Sequence, residues 1–223
     1  MIITPDESLW LAGYGGRDHA SEGTISDLWI KALALEDAGG NQSVLVTMDL
    51  EEIPKSFSDR IKERLNKQFN LSKAQVILNI SHTHSSPVLE GFGDIYPFDS
   101  VQGAKIKNYT DRLYKKIIDL VENALHSMKP VRVYSGNGIA RFQVNRRNNN
   151  EATLNRQTTL KGPNDYAVPV IKIVGASGRV AAIVFGYACH NTVLSGYQWS
   201  GDYAGFAQSA LESMYPGATA LFF

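Results

Sequence analysis

Two short stretches of this chain concentrate side chains that bind metals or move protons. The first, Ile80-Ser81-His82-Thr83-His84-Ser85-Ser86-Pro87, directly follows an apolar run. In an extended chain residues i and i+2 point to the same side, so His82 and His84 are expected to project together from a strand end. Neutral imidazole is the commonest metal-binding side chain, and zinc takes it readily. On local grounds alone, one capping histidine and one satisfied interior histidine would account for the same residues. The second stretch, Phe185-Gly186-Tyr187-Ala188-Cys189-His190-Asn191-Thr192, again delivers a histidine after an apolar run. Two strands each ending in histidine are what a site at one edge of a sheet requires. Catalytic zinc takes three protein ligands and keeps an open position, so a third donor is still missing. Cys189 should face away from His190 and is expected to be a core thiol.

Other groups suit supporting roles. Asn145-Arg146-Arg147 opens a polar loop, where a guanidinium could grip a substrate oxygen, although a solvated loop explains it locally. Ser200-Gly201-Asp202 precedes a helical segment. Asp202 is either its N-cap or a group that orients a metal-binding imidazole. Ala12-Gly13-Tyr14-Gly15-Gly16-Arg17 is glycine-rich without dinucleotide or P-loop spacing, and Gly13 would let a ligand approach the backbone closely. His19 and His126 receive no role.

Strands and helices interleave along the chain, which specifies the α/β class with a mixed β-sheet flanked by helices. Leu28–Leu35 and Ser43–Asp49 read as strands joined through Gly39-Gly40. Pro54 starts a helix whose buried stripe is Phe57, Ile61, Leu65 and Phe69. Gln75–Ile80 is a short apolar strand, expected to be covered on both faces. Ser85–Ala104 reads as a functional loop, followed by a helix with the stripe Tyr109, Leu113, Ile117, Val121 and Leu125. Val131–Tyr134 is a strand, Asn145–Asp165 a polar loop, and Val168–Val174 with Arg179–Ala188 a hairpin around Gly175–Gly178. A last helix, Asp202 to Tyr215, should turn Phe206, Ala210 and Met214 inward. Ala218–Phe223 then reads as an apolar strand cut short, so the chain is expected to be truncated there.

Composition narrows the function classes. Lysine plus arginine and aspartate plus glutamate each number 22, so the formal net charge is zero and a nucleic-acid partner is disfavoured. The single cysteine forbids an internal disulfide framework. No run of apolar residues suits a transmembrane segment, and the start lacks a signal peptide, which makes the cytoplasm the default location.

Taken in order, seven segments resemble the N-terminal catalytic domain of the neutral/alkaline, non-lysosomal ceramidase family. They are Leu11–Gly15, Glu22-Gly23 leading into Leu28–Leu33, Val46–Leu50, His82–Pro87, Val144–Arg146, Ala188–Thr192 and Ser200–Gly205. The resemblance implies one partial domain over residues 1–223. It also implies zinc-dependent hydrolysis of a linear amide, of the N-acylsphingosine (ceramide-like) kind, by the full-length parent. His82 and His190 match zinc ligands, His84 and Arg146 match active-site residues, and Asp202 matches an acidic position given only a supporting role. The family's remaining ligands, a glutamate and a tyrosine, are expected beyond Phe223, so the fragment itself should be inactive. The family is compatible with a secreted or periplasmic parent. Ser86 replaces a usual glycine and Arg147-Asn148-Asn149 departs from the usual continuation, which makes ceramidase-like amidase a firmer expectation than ceramidase. Two alternatives stay open. One is another metallohydrolase, a phosphoesterase or lactonase. The other is a non-catalytic module in which Phe92, Tyr96 and Phe98 hold a lipid or glycan.

Overall fold

A computed structural model describes residues 1–92 and 95–223. In chain order the strands are β1 (Gly23–Thr24), β2 (Ile30–Glu36), β3 (Gln42–Met48), β4 (Val76–Ile80), β5 (Val131–Ile139), β6 (Ala167–Gly175), β7 (Val180–Phe185), β8 (Gln198–Trp199) and β9 (Thr219–Phe222). The α-helices are α1 (Lys55–Phe69), α2 (Ser100–His126) and α3 (Asp202–Met214). The α/β class with mixed pairing holds, and the strands divide among three sheets: β2-β3-β4, β5-β6-β7-β9 and the small pair β1-β8.

Alternation along the strands explains the layering. Ile30 and Ala32 of β2, Val44, Val46 and Met48 of β3 and Val76 of β4 face one way. They pack on the helical stripes Phe57, Ile61, Leu65 and Tyr109, Leu113, Ile117, Val121. Burying each such aliphatic side chain contributes about 2 kcal/mol, so this layer anchors the first sheet. The opposite face carries the paired residues Leu33 and Leu45, which pack on Ile173, Ala182, Val184 and Leu221 of the larger sheet. That sheet's far side, with Ile183, Phe185, Ala220 and Phe222, is covered by Ala204, Ala207 and Leu211 of α3. The result is four layers, helix, sheet, sheet and helix. Two polar links cross the seam between the sheets. Asn79 Nδ2 donates to Phe222 O at 3.0 Å, and the buried Lys31 ammonium donates to Ala220 O at 2.9 Å while pairing with Glu212 at 2.7 Å.

Four expectations change. Helix α2 begins at Ser100, where the Asp99 carboxylate accepts from Gln102 N, so the preceding loop is shorter than the glycine and proline content suggested. Strand β5 continues past Tyr134 to Ile139, with Gly136 and Gly138 paired with Val170 and Val168. β4 is covered on the face of Val76 but not on the opposite face, where Ile77 is 48% exposed. In α3 the buried face is Ala204, Ala207, Gln208 and Leu211, while Phe206 and Met214 are 49% and 70% exposed. Small residues let α3 lie close to β7 and β9, and Gln208 turns inward to donate to the Asp49 carboxylate. No described helix is long and apolar enough to cross a membrane.

Candidate metal centre

Strands β3 and β4 run parallel in register, Met48 beside Ile80, so the segments leaving them emerge side by side. Ser81 N donates to Met48 O and prolongs this contact by one residue. The chain then turns sharply, because His82 has φ 58°. A left-handed backbone at a non-glycine residue is strained by about 1–2 kcal/mol and persists only when its surroundings enforce it. Here the enforcing contact is short: His82 Nδ1 lies 2.6 Å from Glu51 O. A carbonyl can only accept, so Nδ1 carries the proton and Nε2 is the nitrogen left for a ligand. His82 and His84 therefore converge through a turn and not through extended alternation. Their ring centroids lie 5.0 Å apart.

His84 is deeply set, with 12% of its side chain exposed. Gly13 (φ 101°) packs against its ring, and a Cβ there would lie 2.7 Å from His84 Cβ and closer still to the imidazole. The Gly13 amide donates to the Tyr96 hydroxyl, and Tyr14 meets the His84 ring edge-on at 4.8 Å. The absent Gly13 side chain makes room for a histidine, which places this glycine in the site's own packing.

His190 arrives from the other sheet. It sits five residues past β7, in the loop leading to β8, so the centre straddles the seam between two sheets and does not lie on one sheet edge. Its ring centroid is 4.9 Å from those of both His82 and His84. One candidate ligand atom from each of the three histidines falls within 4.8 Å of the others. Asp202 fixes this loop. Its Oδ1 accepts from Val193 N at 3.2 Å and Tyr203 N at 2.6 Å, and its Oδ2 accepts from Leu194 N at 2.7 Å. Asp202 is wholly buried, has φ 55°, and follows the N-cap Gly201. Its carboxylate thus clamps the chain just after His190 instead of touching the imidazole. Arg146 is exposed in the 140–150 loop, near enough that its charge makes His190 less basic, after burial and the charge of His82.

The electrostatics favour neutral imidazoles at His84 and His190. Burial, then the charges of His82, His190 and Arg17, lowers the His84 pKa to about 4. Burial, then the neighbouring Glu52, pushes the Glu51 carboxyl up to about 7. Both ring nitrogens of His84 and Oε2 of Glu51 are buried with no hydrogen-bond partner among the described residues. Unpaired buried polar atoms each cost about 1–3 kcal/mol, so the unpaired His84 Nε2 beside His82 and His190 fits a cation that would satisfy it. Imidazole nitrogen beside carboxylate oxygen is also the donor chemistry that zinc accepts.

Over residues 3–221 the chain matches the family model described as neutral/alkaline non-lysosomal ceramidase, N-terminal. The chain belongs to that family. The solved neutral ceramidase of Pseudomonas aeruginosa has the same fold, with a TM-score of 0.79 at 22% identity over 99% of this chain. A structure of ceramidase complexed with C2 gives 0.78, also at 22% identity over 99% of this chain. In both cases the match spans 36% of the solved chain. No curated relative matches at a significant level.

Against this family background, the residues singled out in the sequence separate clearly. His82, His84 and His190 come together, Asp202 supports the loop of His190, Gly13 packs against His84, and Arg146 is exposed, with its charge felt at His190. Cys189 is only half-buried, with Sγ 3.7 Å from His190 O, because the chain has left β7 and the regular alternation that would have sent it into the core. Tyr96 is buried with Trp10, Val88 and Ile106, and Phe92 and Phe98 pack on that cluster. The aromatic loop is thereby used in packing; its residues 93 and 94 lie outside the described ones. Three site residues escaped the sequence reading. Glu51 follows β3 and could have been noticed as an acid leaving the strand next to β4. Tyr14 donates to Leu194 O at 3.0 Å, and the buried Arg17 donates to carbonyls of three separate segments. No local signal marks either of them, since their partners lie far away in the chain.

Proposed function

We propose that the protein carrying this chain hydrolyses a linear amide of the N-acylsphingosine (ceramide-like) kind, using zinc held at His82 and His190. The observation that supports this reading is the convergence of three imidazoles from two sheets, with ligand atoms within 4.8 Å of one another. Family membership supplies the reaction class. When bound, zinc supplies Lewis acidity, which activates water near neutral pH and polarises a carbonyl.

The chain's own residues do the rest. The Glu51 carbonyl holds the His82 ring so that Nε2 faces the pocket. Asp202 and Tyr14 pin the loop behind His190 from opposite sides. His84, kept neutral by burial, can hold or pass a proton at Nε2, and the Arg146 guanidinium can steady charge that develops on the amide oxygen. The remaining donors, by the family resemblance a glutamate and a tyrosine, belong to residues beyond Phe223, so these 223 residues alone should not turn over. A phosphoesterase using two metals would need a second ligand cluster, and among the described residues only the one group of three histidines has that geometry.

The test is release of free sphingosine from N-acylsphingosine by the natural gene product, with phosphate-ester and lactone substrates assayed in parallel. Activity lost on chelation, restored by zinc and absent in His82→Ala supports the reading. Amide cleavage that survives both chelation and His82→Ala, or preferential cleavage of either other substrate, overturns it.

A further inference from the structure

We infer that the exposed face of Phe142, backed by Tyr187 and Tyr203, is the platform on which the acyl chain of the amide substrate lies. The inference rests on the amide-hydrolase reading above and deepens it, naming the wall of the site that reads the acyl group.

Three rings form one apolar face. The Phe142 ring centroid lies 4.6 Å from that of Tyr187 and 5.6 Å from that of Tyr203. Tyr187 and Tyr203 are partly buried, and both pack on the core of the larger sheet with Ile183, Phe185, Ala220 and Phe222. Phe142 contacts both rings and is itself 59% exposed. The polar ends of the two tyrosines are already committed to the backbone. Tyr187 Oη donates to Ala140 O at 3.0 Å and accepts from Gln143 N at 3.3 Å, so it brackets Phe142 from both sides in the chain. Tyr203 Oη donates to Cys189 O at 2.6 Å. A single exposed apolar residue is ordinary on a protein surface, whereas stacked rings with their hydroxyls satisfied offer a hydrocarbon surface. Held from behind, these rings lose little further freedom when a chain covers them.

The face adjoins the metal centre through two connections. Tyr203 follows Asp202, which clamps the His190 loop, and its hydroxyl bond falls on the residue just before His190. Phe142 stands four residues before Arg146 on the same loop, and the Arg146 charge is felt at His190. The proposed reaction sets the amide oxygen against Arg146. The carbon that bears this oxygen also bears the acyl chain, while the sphingoid chain hangs from the nitrogen. The acyl chain is thus the hydrocarbon that leaves the reacting carbon on the side of the Arg146 loop, towards Phe142.

The experiment compares the natural gene product with its Phe142→Ser and Phe142→Leu variants on the acetyl, hexanoyl and octanoyl amides of one sphingoid base. It measures KM and kcat for each amide, and calorimetry follows binding of the acetyl and octanoyl amides to metal-stripped protein. Far-ultraviolet circular dichroism confirms that each variant is folded. Each methylene taken out of water favours binding by up to about fourfold, so Phe142→Ser should weaken the octanoyl amide about tenfold, in KM and calorimetric Kd and not in kcat. The loss should shrink to about twofold or less for the acetyl amide. Phe142→Leu keeps an apolar surface and should recover most of the octanoyl affinity; a variant as weak as Phe142→Ser would overturn contact through hydrocarbon. An acyl-length dependence in Phe142→Ser that matches the wild type overturns the platform. A loss equal at all three lengths overturns it too, since it would report the sphingoid chain or a loosened loop. The binding arm separates this inference from the zinc reading. Metal-stripped wild type that prefers octanoyl to acetyl, with the preference closed in Phe142→Ser, upholds the platform even where zinc restores no amide cleavage. Cleavage without any such preference overturns the platform and leaves the amidase reading standing.

Discussion

Replacing Arg17 by methionine should loosen the metal centre from behind without touching a ligand. Arg17 is 5% exposed. Its Nη1 donates to Ala12 O at 2.6 Å and His84 O at 2.7 Å, and its Nη2 donates to Gly196 O at 2.8 Å. These carbonyls belong to the glycine-rich segment, the His84 segment and the loop that follows His190, so one guanidinium ties all three together. Hydrogen bonds from a charged donor contribute about 1.5–3 kcal/mol each, giving a gross value of about 5–9 kcal/mol. Against this stands the cost of burying a guanidinium that has no carboxylate partner among the described residues. Its Nε is unpaired, and burial lowers its pKa. That penalty is several kcal/mol, so the net loss in Arg17→Met should be about 3 kcal/mol. With a urea slope of about 3 kcal/mol per molar, the unfolding midpoint should fall by about 1 M. Arg17→Lys should recover only part of this, because an ammonium cannot present the planar fork that spans three carbonyls. Zn²⁺ affinity, measured by calorimetry on the folded variants, should weaken as the loop of His190 gains freedom. A midpoint shift below about 0.2 M would show that the three hydrogen bonds only offset the burial cost, and the tethering argument would fail.

Gly13→Ala should place a methyl group against the His84 ring at a left-handed backbone position, destabilising the fold by about 2 kcal/mol or more and weakening metal binding; a fully stable variant with unaltered metal affinity would refute that packing. Asp202→Asn keeps one acceptor oxygen but turns an amide towards a backbone N–H, and should cost about 2–3 kcal/mol in denaturation. It should also make residues 190–196 an early site of limited proteolysis, and an unchanged cleavage pattern would count against the clamp. Asp49 is buried beneath the sheet ends, and burial raises its pKa from 3.8 to about 6. The folded state therefore holds this proton more tightly than the unfolded chain. The stability contributed is complete below about pH 4, is lost as pH rises to about 6, and amounts to at most ~3 kcal/mol. Asp49→Asn should remove that slope, and parallel stability–pH curves for the two proteins would contradict it. Phe206→Ser, on the open face of α3, should change stability by less than about 0.5 kcal/mol. A large loss would restore the inward orientation expected from the sequence.

The sequence by itself determined the elements and the identity of the histidines. Periodicity placed α1 and the body of α2, though not its start at Ser100, because their stripes, Phe57-Ile61-Leu65 and Tyr109-Leu113-Ile117-Val121, are buried by contacts that repeat at the helical period. It located β2, β3, β6 and β7 within a few residues, since alternation and turn glycines act over short range. His82, His84 and His190 were legible because each stands close behind an apolar strand. The pattern failed where a tertiary partner overrode local preference. Phe206 looked buried until Gln208 was drawn inward by Asp49, 159 residues earlier in the chain. Only the tertiary structure could decide that two sheets meet at a seam, that His82 turns left-handed to meet the Glu51 carbonyl, and that Arg17 bridges to Gly196 across 179 residues. Secondary structure is written in neighbours three or four residues apart, whereas a metal centre is assembled from chain ends that meet only after the core has packed.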